Sequence, residues 1–155
     1  MQTFLPYADF AASAAALDDR RLGKQRVEAL QIIRALTRET YGWKHHPAVL
    51  MWSGYEPALA SYGLAICEEW VARGRADTCA ATMVADLAEA GVPAPGPQSA
   101  LRPDTELPAW LGDERLHRSH QASLVRKDPS FYAPRFPDAD PDLPYFWPTH
   151  EGPGA

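Results

Sequence analysis

Apolar residues recur along this chain at helical spacing. Leu22, Val27, Ala29, Leu30, Ile33 and Leu36 stand mostly three, four or seven positions apart, which predicts a helix from Asp18 or Asp19 to about Arg38 with that set turned inward. Arg21, Lys24, Gln25 and Glu28 then share a different, polar face. Asp9 can cap a shorter helix running to about Ala16. Leu50, Met51, Leu59, Tyr62, Ile66 and Trp70 are the inward positions of a third helix, starting at Pro47 or Glu56 and ending near Arg73 before Gly74. Residues 77–90 and 113–127 predict two more. Pro and Gly break the pattern over 91–109, and Pro129, Pro134, Pro137, Pro141, Pro144 and Pro148 argue against any helix after 127. No stretch alternates with period two. The expected fold is therefore all-α: a compact single-domain helical bundle over 1–155, with a Pro-rich loop at 91–109 and an irregular, extended tail at 129–155. The tail's aromatics need burial, so it should wrap the helices.

Composition sharpens this picture. With 155 residues and 46% apolar content, the chain can fill one core without disulfides or metals. A formal charge of −5 excludes a generic polycation, but the charge is unevenly divided. Residues 20–46 carry a net +5 and residues 115–135 a net +4, inside an acidic remainder. Cys67 and Cys79 form no CxxC pair, which suits a reducing compartment. The first 19 residues hold no Lys or Arg, and no apolar run reaches the roughly 20 residues a bilayer requires. The expectation is a cytoplasmic protein with no membrane partner.

Three places concentrate candidate chemistry. In LDDRRLGKQRVEAL, Glu28 lies one turn from Lys24 and Gln25 and close to Arg26, which is either a solvated helix face with an ordinary Lys24–Glu28 pair or a general acid/base carboxylate among phosphate-binding cations. In GWKHHPAVLMW, His45, His46, Lys44 and the indoles of Trp43 and Trp52 can bind phosphate and stack on a base, or else bury the indoles and use one imidazole as a cap. In RLHRSHQASLVRKDPSFY, His117, His120, Arg118, Arg126 and Lys127 lie on or near one helix, which is equally readable as a solvated basic face. Metal-ligand spacing is missing, so no metal or cofactor is expected. The usual nucleophile motifs are missing too. What remains is the three lysines and the α-amine, and an α-amine keeps a useful neutral fraction at neutral pH without special burial.

LDDRRLGKQRVEALQI, then HPAVLMWSGYEPAL with a C–W–RG–DT succession, then SHQASLVRKDPSFY, resembles the pyrimidine-dimer DNA glycosylase family, the endonuclease V-like repair enzymes. It is similar in particular to a bacterial branch that opens MQTFLPY and closes DLPYFWP. The likeness spans 17–87 and 115–136 and lapses in the loop between. It implies a helical domain whose N-terminal segment threads between helices to bring the terminal amine beside a helix glutamate. It implies DNA N-glycosylase and abasic-site lyase activity on damaged or modified pyrimidine nucleotides, with Glu28 as the acid/base carboxylate. Because Gln2 should hinder removal of the initiator, the nucleophile would be the Met1 amine. Arg21 falls on a substrate-contacting basic position of the family, and Arg26 falls beside another. With Lys24, Gln25, His45, His46, Trp52, His120 and Lys127, these are the expected contacts to damaged duplex DNA. Two other readings remain open on the residues: a non-catalytic nucleic-acid or nucleotide-binding module, and an enzyme on a smaller N-glycoside. Oligomeric state is open.

Overall fold

The computed structural model describes residues 1–148. Among them the chain forms seven α-helices and no strands: α1 Phe10–Ala16, α2 Asp19–Thr37, α3 Pro47–Leu50, α4 Glu56–Ala72, α5 Cys79–Glu89, α6 Glu114–Lys127 and α7 Pro129–Tyr132. The all-α expectation holds. The Asp9 carboxylate accepts from the Ala12 amide at 2.8 Å and starts α1. α2 and α4 pack along each other, with α1 against α4 and α5 against α2. Leu22, Ile32, Ile33, Leu59, Tyr62, Ile66 and Met83 are fully buried between them. Gly23 permits this approach: a Cβ there would lie 2.9 Å from the Trp70 ring, so the indole lies against the α2 backbone.

The structure corrects several local expectations. Of the two starts expected for the third helix, Glu56 holds for α4, while Pro47 opens a separate short α3, because the chain turns at residues 51–55 between them. Val27 and Leu50 are exposed rather than inward. Pro129 does not end helical structure; it occupies the first turn of α7, where its missing N–H costs nothing. Within the Pro-rich loop, Gln98–Ala100 form a 3-10 turn. The Gln98 side chain bonds Ala8 O and the Phe10 amide and so fastens the loop to the start of α1. The tail does wrap the helices as far as residue 148, burying Phe136 and half-burying Tyr145, Phe146 and Trp147. The expectation for 149–155 lies outside the described residues. No helix among those described is long and apolar enough to cross a membrane.

What positions the site is the leader. Gln2, Thr3, Phe4 and Leu5 are non-helical yet buried, and buried backbone polar groups must find partners. With no strand beside them, they find side chains. Phe4 N–H donates to Gln25 Oε1 at 2.7 Å, and Gln2 O accepts from Gln25 Nε2 at 2.7 Å. Leu5 N–H donates to His120 Nδ1 at 2.9 Å, and Leu5 O lies 2.8 Å from His117 Nδ1. Pro6 O accepts from Gln121 at 2.8 Å, and Thr3 Oγ1 accepts from the Trp52 indole at 3.0 Å. α2, α3's flank and α6 thus grip the leader from several sides.

Candidate active site

This grip carries Met1 into a cleft of about 390 Å³ lined by Met1, Gln2, Phe4, Arg20, Arg21, Lys24, Gln25, Glu28, Lys127 and Tyr145. The start of the chain and the Glu28 carboxylate therefore share one cavity. The Glu28 side chain is 12% exposed, with Oε1 at 3.7 Å from Lys24 Nζ. Its Oε2 accepts from Gln25 Nε2 at 2.6 Å.

Gln25 is the joint of this arrangement. Its Oε1 takes the Phe4 amide and faces the Tyr62 hydroxyl at 2.6 Å, while its Nε2 spans Gln2 O and Glu28. The Tyr62 hydroxyl also lies 2.8 Å from Phe4 O, so one hydrogen is shared between two acceptors. Both ends of the amide are saturated at 1% exposure. One side chain consequently fixes the leader relative to the carboxylate. Burial, and then the Glu28 charge, push the Tyr62 phenol well above its ordinary value, so it stays a neutral hydrogen-bond donor.

Cations surround the carboxylate. Arg20 and Lys127 line the cleft without a carboxylate partner among the described residues. Lys24 is mostly exposed beyond its long pair with Glu28. Arg21 is held by Asp18 at 3.2 Å, and Asp18 also accepts a hydrogen bond from the Tyr132 hydroxyl. His46 caps α3, accepting from the Ala48 amide at 3.0 Å. Its pKa is lowered, first by burial and then by the positive charge of the Met1 amine, with Glu28 opposing. His46 thus sits in the field of both groups.

Several expected contacts are placed elsewhere. Trp52 is fully buried in the core, its N–H bonded to Thr3, and cannot stack on a base from there. Gln25 is not part of a solvated face; its polar atoms are spent on the leader, Tyr62 and Glu28. Arg26 turns away from the cleft to Asp77 at 2.5 Å and lies 4.4 Å from the Trp70 ring. His120 is fully buried, and desolvation, with a smaller push from His117, lowers its pKa to about 3. It is a neutral acceptor for Leu5. His45 is exposed and does not line the cleft. Met1, Glu28, Arg21, Lys24, Lys127 and, as a buried part of the wall, Gln25 are brought together.

Phe4, Tyr145 and Arg20 line the cleft and were not singled out from sequence. Arg20 adjoins Arg21 in the same cationic run, and Tyr145 belongs to the aromatic tail whose burial was expected, so a signal existed for each. Phe4 gave none. Among the described residues, no three His, Cys, Asp or Glu side chains are grouped to hold a metal ion.

No curated protein and no solved structure matches the chain. The family model described as pyrimidine dimer DNA glycosylase matches residues 1–83. That match takes in the buried leader, α1, α2, α3, α4 and the start of α5, and it stops short of Lys127 and Tyr145 on the far wall. With more than half its length matched, leader and cleft glutamate included, this chain belongs to the pyrimidine dimer DNA glycosylase family.

Proposed function

We propose that the protein is a DNA N-glycosylase with abasic-site lyase activity on damaged or modified pyrimidine nucleotides, with the Met1 α-amine as nucleophile and Glu28 as acid/base carboxylate. The observation that carries this reading is the convergence of Met1 and Glu28 in one cation-lined cleft, through a leader held by buried hydrogen bonds. Nucleophile and carboxylate must reach one sugar carbon, and a rigid leader supplies that orientation in advance.

In this chemistry the neutral amine attacks the deoxyribose C1′, the N-glycosidic bond breaks, and the base departs. Glu28 assists ring opening and moves the protons, leaving an imine between the terminal nitrogen and C1′. β-elimination then breaks the strand. Arg20, Arg21, Lys24 and Lys127 hold phosphates around the reacting sugar. A flipped or distorted nucleotide suits the cleft, since C1′ is inaccessible inside an intact stack.

Borohydride reduction with an abasic-site duplex tests the reading, with an intact-mass measurement establishing that the α-amine is free. The expected result is a stable protein–DNA adduct in the wild type and its loss in Glu28→Gln at unchanged DNA affinity. A free amine with no adduct, where a control lyase is trapped, overturns it.

A further inference from the structure

Trp43 has no part in the cleft described above. It is 63% exposed, whereas Trp52 is fully buried and Trp70, Trp110 and Trp147 are half-buried. Leaving an indole in water forgoes a large burial gain. Its backbone is also unusual: at φ +70° it is the one non-glycine residue with positive φ among those described. A bulky residue held in the left-handed region is a conformation that the surroundings must impose, and such positions cluster at functional sites.

The surroundings do impose it. Lys44 Nζ donates to Ala35 O at 2.8 Å and pins the turn to α2, and His46 N–H closes it on Trp43 O at 2.9 Å. From there a file of rings runs into the cleft. Trp43 meets His46 edge-on at 6.1 Å, His46 meets Trp147 at 6.0 Å, and Trp147 meets the cleft-lining Tyr145 at 5.4 Å. Tyr145 is itself fixed through its hydroxyl, 2.5 Å from Ser123 Oγ. The exposed indole is the outer end of an ordered aromatic file whose inner end walls the cavity holding Met1 and Glu28.

We propose that Trp43 is a base-stacking residue, its indole packing on a nucleobase displaced from the duplex next to the sugar that reacts in the cleft. The proposal rests on the DNA glycosylase reading above and adds a contact outside the reacting centre. Every base offers a π-face, so this contact is sequence-tolerant, and a duplex missing a base has unstacked neighbours available to it. Exposed His45 stands near the indole in sequence, where it can meet an adjoining phosphate. Base stacking thus falls to the exposed indole of this loop and not to Trp52.

The test uses the full chain carrying Glu28→Gln, which separates binding from chemistry, and a duplex with a stable abasic-site analogue. The expected result is quenching of tryptophan fluorescence on binding. Trp43→Phe should bind within about threefold of the parent but lose the quench, and Trp43→Ala should bind about tenfold more weakly, as stacking energies imply. Affinity for an intact duplex should change little in either variant. A parent that quenches nothing, with Trp43→Ala binding as tightly as the parent, overturns the proposal alone. So does Trp43→Ala altering self-association while leaving the abasic duplex bound as before, since the indole is then a protein contact. Failure of the parent chain to bind the abasic duplex overturns both this proposal and the reading beneath it.

Discussion

The two faces of α2 carry the same residue types and use them differently. On one face Arg26 and Arg34 meet Asp77 at 2.5 Å and Asp86 at 2.6 Å, so each guanidinium is neutralised by a carboxylate from α5 or its approach. On the other, the one ion pair of Glu28 among the described residues is a 3.7 Å contact with a mostly exposed Lys24, and the cleft adds Arg20 and Lys127 with no carboxylate of their own among the described residues. The first face is a staple between helices. The second is an unbalanced field with one acid at its centre, which is what a polyanionic substrate requires. A cation's sequence position does not reveal which role it has; its partner does.

The two faces should differ most at Glu28. Glu28→Gln should lower the trapping rate by roughly 100- to 10,000-fold, the usual worth of a positioned acid/base group, and leave thermal melting nearly unchanged. Single-turnover trapping beside a melting curve checks both. Gln25→Leu should act on both quantities at once. It strands the Phe4 amide and the Gln2 carbonyl, while the Tyr62 hydroxyl keeps Phe4 O, and urea unfolding should show a loss of about 4 kcal/mol. Trapping by the molecules still folded should also fall, because the leader loses its tie to Glu28.

Asp77→Ala gives the opposite signature on the stapling face. The Asp77 side chain is 3% exposed and that of Arg26 16%, so an uncompensated guanidinium remains and stability should drop by about 3 kcal/mol. Trapping per folded molecule should stay at the wild-type level. If Asp77→Ala instead removed trapping at full stability, the division between the faces would be wrong.

Acid sharpens the same contrast through the leader. His120 gains a proton only near pH 3 in the folded chain, against about 6.5 when unfolded. The unfolded chain therefore binds that proton first as pH falls. Stability is lost from about pH 6.5 downward until the folded value is reached, by about 2 kcal/mol at pH 5. Denaturant midpoints measured from pH 7 to pH 5 should show this slope, and His120→Phe should flatten it. The smallest effect is expected at the cleft cations: Lys24→Gln and Lys127→Gln should each reduce the log–log salt slope of DNA binding by about one, whereas Arg34→Gln should not move it.

Much of the fold was legible because helix periodicity and caps are local. α1 and α2 start and stop within a residue or two of their sequence signals, and the absence of alternation gave the class. Glu28 with its neighbouring cations was legible for the same reason, being i,i+3 and i,i+4 neighbours on one helix. Polar or aromatic residues in a basic segment suggest ligands, and on that ground Gln25, His120 and Trp52 look like substrate contacts. They serve instead a buried extended leader, whose backbone needs side-chain partners that no local pattern announces. The role of Arg26 is hidden for a related reason, since its partner Asp77 stands in a different acidic segment. Tyr145 reaches the cleft only through the return of the tail, a long-range event with no periodicity.

The chemistry proposed for the cleft requires that the terminal nitrogen be the group that joins the sugar. Peptide mapping of the borohydride-trapped adduct addresses it most directly, because Met1 competes in the same cleft with Lys24 and Lys127. The reduced sugar should be found on the α-nitrogen of Met1, with both lysines unmodified; a sugar carried by a lysine side chain while Met1 is free and unmodified would overturn the assignment of the nucleophile.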